Sequence, residues 1–121
     1  MTARYERELK KLLEQHGFFV IRSAGSLSLD LIAIKNGKTL LIEQKTVHSD
    51  VFYTVRKKEQ FDLNRDLYHE KGLNVIYAVK FVGKAKSLED SWRFFKIDYG
   101  APGYPILRYE NGKKIEEVIQ L

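Results

Sequence analysis

Asp30, Glu43 and Lys45 lie on either side of a turn in the stretch LDLIAIKNGKTLLIEQK, residues 29–45. Two apolar runs flank Asn36-Gly37. That dipeptide is a strong hairpin signal, because a type I′ turn needs positive φ at both central residues. Mirror pairing across the turn sets Asp30 opposite Glu43, Leu31 opposite Ile42 and Ala33 opposite Leu40. Opposed residues share a face, with Cβ atoms roughly 4.5–5.5 Å apart. Lys45 stands two residues beyond Glu43 and stays on that face, opposite Ser28.

Facing carboxylates repel, and among mostly apolar neighbours the cost rises unless they are paired or bind metal. A divalent cation between Asp30 and Glu43 removes the conflict. Few, hard oxygen ligands suit Mg²⁺, which keeps waters and shares its shell with phosphate. An ammonium at Lys45 would orient a water and offset charge on a phosphoryl oxygen. This reads as metal-assisted phosphodiester hydrolysis. The competing reading is a charge ladder on an exposed hairpin face. Glu-x-Lys alone is weak, since it recurs as Glu8-Leu9-Lys10 in a helical pattern where i and i+2 face apart. Convergence through the hairpin carries the weight.

The elements that must position these groups follow from periodicity. Tyr5, Leu9, Leu12, Leu13 and His16 form one stripe, predicting a helix over 3–16 capped by Thr2 and stopped by Gly17. Glu6 falls at the border of that stripe, either as part of a site or as a solvated first-turn acid; Arg7 points away. FFVIR at 18–22 reads as a strand. The small segment 23–26 either lets backbone approach a ligand or is an ordinary turn. Both hairpin faces are largely apolar, which predicts strands covered on both sides. Residues 46–54 read as a loop in which Phe52 and Tyr53 are tucked or stack on a partner, and His48 is solvated or a ligand. A second helix is expected over 55–71, closed by Gly72. Arg56, Lys57 and Lys58 open it at the wrong end of the dipole, as an anion site or as solvated charge. Its stripe of Phe61, Leu63, Leu67 and Tyr68 is core, a dimer face, or both.

NVIYAVKF at 74–81 is a strand expected to run parallel to a hairpin strand after a right-handed crossover. Residues 83–90 read as a polar loop and SWRFFKI at 91–97 as a strand. Beyond a turn-rich 100–105, the last segment is either a hairpin or a strand and short helix. No repeat, linker or low-complexity tract breaks the chain.

The length of 121 residues fits a single domain with one core. There is no cysteine, which excludes disulfides and thiolate metal sites. No apolar run reaches the roughly 18 residues of a membrane span. The charged N-terminus lacks a signal-peptide core, so an intracellular, cytoplasmic protein is expected. A net charge of +5 and a pI near 9.4 favour polyanionic partners.

Assembled, these residues resemble the archaeal Holliday junction resolvases of the PD-(D/E)xK nuclease superfamily. The blocks that carry the resemblance are Glu6-Arg7-Glu8-Leu9 with HGFFVIRSAGS, the hairpin stretch, and NVIYAVKF followed by SWRFF. The resemblance implies an α/β restriction-endonuclease-like core, a mixed central sheet flanked by helices, forming one nuclease domain over 1–121. It implies Asp30 and Glu43 as metal carboxylates, Lys45 as the catalytic lysine, Glu6 supporting the metal shell, and Gln44 acting through its backbone carbonyl. Ser26 matches an activity-linked loop serine, although Leu27, Ser28 and Leu29 stand where relatives often carry basic residues. Arg7 and Arg22 match phosphate contacts, with Arg56 to Lys58 expected to join them. Mg²⁺, with Mn²⁺ as a substitute, a homodimer and a four-way DNA junction are the implied cofactor and partners. No membrane is involved, and the setting is nucleoid-associated or, for family members encoded by archaeal viruses, an infected cell. The alternatives are a nuclease for other branched or linear DNA and a non-catalytic DNA-binding protein.

Overall fold

Asn36 and Gly37 take φ of 52° and 77°, as the turn between the two apolar runs requires. A computed structural model describes residues 3–23 and 29–121. Helix α1 (Ala3–Gln15) leads into β1 (Phe19–Arg22), the hairpin strands β2 (Leu31–Lys35) and β3 (Lys38–Val47), and a short β4 (Val51–Tyr53). Helix α2 (Lys58–Lys71), β5 (Val75–Phe81), β6 (Trp92–Phe95) and β7 (Ile106–Arg108) follow. The main sheet has the order β1-β2-β3-β5-β6. All its neighbours are antiparallel except β3 and β5, which run parallel after the crossover through α2. Mirror pairing holds from Lys35–Lys38 back to Leu31–Ile42.

Strand alternation divides the core between the two helices. Leu31, Ala33, Leu40, Ile42, Ile76, Ala78, Trp92 and Phe94 pack beneath Leu9, Leu12 and Leu13 of α1. On the other face Val75, Tyr77, Val79, Phe81 and Phe95 meet Phe61 of α2. Gly17, at φ 88°, ends α1 as expected, while the proposed Thr2 cap lies outside the described residues. Half-buried His16 turns to Glu89, 3.1 Å away.

Five expectations are corrected or resolved. Residues 46–54 are not a loop: β3 continues to Val47, and β4 pairs antiparallel with β7, Phe52 opposite Leu107. Both of those side chains are buried, so Phe52 is tucked; the partner strand is far along the chain and local pattern does not reveal it. The second helix starts later, because residues 54–57 form a 3₁₀ turn whose Thr54 hydroxyl donates to the Pro105 carbonyl (2.7 Å). The last segment is a strand followed by 3₁₀ turns, the second of which buries Ile115 and Val118 under α1. The hairpin is covered on one face only. Ile32 and Ile34 are half-buried, and on β1 Phe19 is 66% and Ile21 42% exposed, because α2 lies over β3 and β5 instead. The α2 stripe divides in the same way, Phe61 and Leu67 buried, Leu63 and Tyr68 exposed.

Gly112 lets the C-terminal segment lie directly on β6. A Cβ there would sit 2.5 Å from the Arg93 Cβ and 2.7 Å from the Phe95 ring. Arg93 has no room to yield, since its guanidinium stacks 4.1 Å from the Tyr109 ring centre and donates to the Tyr109 hydroxyl (2.8 Å). Gly112→Ala is therefore expected to destabilise the fold by about 1–3 kcal/mol, read as a lower urea midpoint. An unchanged midpoint would mean that this segment is not clamped to β6.

Candidate active site

On β3 the period of two sends Leu40, Ile42 and Gln44 toward α1, and Leu41, Glu43 and Lys45 toward α2. Glu43 is fully buried, at 0% exposure. Its Oε1 accepts from Asn64 Nδ2 of α2 (3.3 Å), which also reaches the Tyr77 hydroxyl of β5 (3.3 Å). Its Oε2 lies 3.4 Å from Lys45 Nζ and has no hydrogen-bond donor among the described residues. Lys45 Nζ donates instead to Gln60 Oε1 of α2.

Asp30 arrives differently from the mirror-pairing expectation. Its N–H donates to the Ile42 carbonyl (2.8 Å), although Leu31 already stands opposite Ile42 in the ladder. Two successive residues thus answer to one, a bulge-like step, and the chain leaves the sheet before reaching Glu43. The side chain makes up the difference. Asp30 Oδ2 accepts the Gln44 N–H (2.7 Å), a donor that has run past the end of β2. Asp30, Glu43 and Lys45 still converge, through a side-chain hydrogen bond rather than a strand pair.

Burial is the main force on both acids. It raises the Asp30 pKa, and nearby Glu6 raises it further, against the Gln44 N–H, Lys45 and Glu43, which lower it. Glu43 is pushed up to about 8, chiefly by burial and further by Asp30, with Lys45 and Asn64 opposing. Burial likewise raises the Tyr77 hydroxyl and keeps it neutral. The local field thus favours extra positive charge beside the two carboxyls.

The other expected residues are placed less centrally. Glu6 is close enough to act on Asp30 electrostatically, but its Oε1 is held by Arg22 Nη2 at 2.7 Å. No group of three or more His, Cys, Asp or Glu gathers for a metal among the described residues, and the Glu6 carboxylate is turned to Arg22. Arg22 is paired with that acid yet still half-exposed. Arg7 is exposed on α1, and Ser26 lies outside the described residues. The Gln44 side chain is buried and donates to the Thr46 hydroxyl (2.8 Å), leaving its backbone as the part that meets Asp30.

Lys45 lines a cleft of about 570 Å³ with Val55, Arg56, Lys57, Lys58, Glu59 and Gln60. Arg56, Lys57 and Lys58 are all exposed. Arg56 is shared with a second cleft of about 440 Å³ and lies over the Tyr53 ring, 5.4 Å from its centre. His48 is exposed and lines that second cleft. Gln60, Asn64 and Tyr77 were not foreseen from sequence. The one available signal was Asn64, a polar residue three positions from both Phe61 and Leu67 on the buried stripe.

The Glu43 shift has a consequence for stability. A folded chain that keeps a proton the unfolded chain has released loses stability as pH rises. The metal-free protein is therefore expected to lose stability between the ordinary glutamate value of 4.5 and about 8. Glu43→Gln should flatten that slope. Thermal midpoints across this pH range check it, and identical slopes for the two proteins would exclude the proposed origin.

A family model described as archaeal Holliday junction resolvase (Hjc) matches residues 2–121. The crossover junction endodeoxyribonuclease Hjc of Methanocaldococcus jannaschii is 44% identical over 80 residues. That match takes in 66% of this chain and 59% of the relative's length. The structure of Archaeoglobus fulgidus Hjc, a Holliday junction resolvase, superposes with a TM-score of 0.71 at 24% identity, covering 98% of this chain and 94% of the other. The five-stranded mixed sheet between helices is thus the expected restriction-endonuclease-like core. The protein belongs to the archaeal Holliday junction resolvase family.

Proposed function

We propose that this chain is a structure-selective endodeoxyribonuclease that resolves four-way DNA junctions by paired, Mg²⁺-dependent phosphodiester hydrolysis. The observation that carries the reading is the Glu43 carboxylate, fully buried with its Oε2 lacking a donor among the described residues, between Asp30 and Lys45 at the edge of a basic cleft. The relative from Methanocaldococcus jannaschii bears the name of that activity.

Asp30 and Glu43 would hold the divalent cation, Mg²⁺ or Mn²⁺, with the Gln44 carbonyl directed to the same edge. A buried and a half-buried acid with raised pKa values, and an oxygen without a donor among the described residues, fit such an ion. When bound, the ion would withdraw charge from a phosphoryl oxygen and acidify water. Lys45 supplies an ammonium that orients the attacking water and offsets charge developing on the phosphoryl oxygens. Arg56, Lys57 and Lys58 bind backbone phosphates along the cleft, which makes association salt-dependent.

A homodimer completes the proposal. Phe19, Ile21, Ile32 and Ile34 present an apolar face that no helix covers among the described residues, and a second copy related by a two-fold axis would bury it. The same axis would set two sites on opposed strands of a junction.

Lys45→Ala is expected to lower junction cleavage by about 10²–10³-fold with binding retained. Unchanged cleavage would exclude this site, and loss of binding together with cleavage would make Lys45 a DNA-binding residue rather than a catalytic one. Junctions should be cut far faster than matched linear duplex; equal rates would reject the junction assignment. Ile21→Lys should shift sedimentation from dimer to monomer and leave single nicks in place of paired ones.

A further inference from the structure

The nuclease reading uses Lys45 but does not say what holds it. The lysine stem is flexible, with about 2 kcal/mol of rotamer entropy. Its neighbours in the cleft are Arg56, Lys57 and Lys58, which repel it. Glu43 alone is a loose anchor, since 3.4 Å is long for a hydrogen bond.

Two amides of α2 meet the two functional residues of β3. Gln60 accepts from Lys45 Nζ, and Asn64 donates to Glu43 Oε1. The spacings match. Residues four apart on a helix advance about 6 Å, and residues two apart on a strand about 6.6 Å. One helical turn of α2 therefore registers against the Glu43–Lys45 step.

We propose that Gln60 is a positioning residue for the catalytic lysine. Its carbonyl oxygen takes one of the three ammonium donors and Glu43 attracts a second, leaving the third for phosphate or water in the cleft. A neutral acceptor suits the task, because it aims the ammonium without cancelling its charge. Glu59, an acid one position earlier, lines the same cleft and is exposed, yet the contact to Lys45 is made by the amide.

Two variants separate aim from packing. Gln60→Met keeps bulk and removes the acceptor, whereas Gln60→Glu keeps an acceptor oxygen. Met is expected to lower kcat on four-way junctions by about 10- to 100-fold while leaving junction affinity and the thermal midpoint in place, and Glu should recover part of the loss, since it restores the acceptor but offsets the ammonium's charge. The ¹H–¹⁵N signal of the Lys45 ammonium, assigned by its absence in Lys45→Ala, should persist in wild type and Gln60→Glu and broaden away in Gln60→Met. Wild-type turnover in Met with the ammonium signal intact would overturn the proposal. So would a Met variant whose stability falls with its rate and which Glu does not rescue. The inference rests on the nuclease reading. A wild-type protein that cuts no junction rejects that reading, while the ammonium signal still decides whether Gln60 holds Lys45.

Discussion

An acid taken wholly out of water is the constraint around which this structure is arranged. Glu43 is carried by the central strand, pressed against α2, and given one hydrogen bond from Asn64 for its two oxygens. Desolvation of that group outweighs the lysine beside it and drives its pKa up to about 8. The chain contains its own contrast. Glu8 is part-buried as well, but its Oε1 accepts from Lys80 Nζ (2.5 Å) and from the Trp92 indole (2.9 Å), and Lys80 also reaches the Ser91 hydroxyl (2.7 Å). That cluster is closed and ties α1 to β5 and β6. The Glu43 cluster is left open on one side among the described residues, which is costly for stability taken alone.

The fold produces this opening by letting two strands part company. β2 and β3 pair in strict register up to Leu31–Ile42, and then the Asp30 N–H shares the Ile42 carbonyl. Past that step β3 runs on toward Val47, its strand partner among the described residues being β5. Its free edge receives the Asp30 carboxylate at the Gln44 N–H. The parallel pairing of β3 with β5 obliges a crossover, and the crossover brings α2 back over the same face of β3. One connection thereby delivers the basic rim at 56–58 and the amides at 60 and 64.

What could be read from sequence was whatever depended on neighbours along the chain. The Asn36-Gly37 turn, its register, the stripe of α1 and the β5 and β6 strands all rest on local pattern, and all are found. The departures share a different cause. The β4–β7 pair joins two weakly patterned segments that only the folded chain brings together. The bulge-like step at Asp30 arises where β2 ends, and alternation carries no information about where a ladder stops. Glu6 shows the same limit, since its place near Asp30 depends on how α1 packs on the sheet and its carboxylate is drawn to Arg22. Gln60 and Asn64 become visible as site residues only when α2 is placed on β3.

The uncovered wing of the sheet belongs to the same logic. A hairpin apolar on both faces needs two covers, and α1 supplies one. Placing α2 over β1 and β2 would have completed the core within one chain. It would also have withdrawn Gln60, Asn64 and the basic rim from Glu43 and Lys45, because one helix of this length covers only two or three strands. The position of α2 over β3 and β5 therefore serves the acid cluster at the expense of Phe19, Ile21, Ile32 and Ile34. An apolar face left open for that reason sits on the strands that lead directly into Asp30. A second copy docked there would be coupled to the site through β2 itself, so that assembly and the placement of the first acid depend on one element.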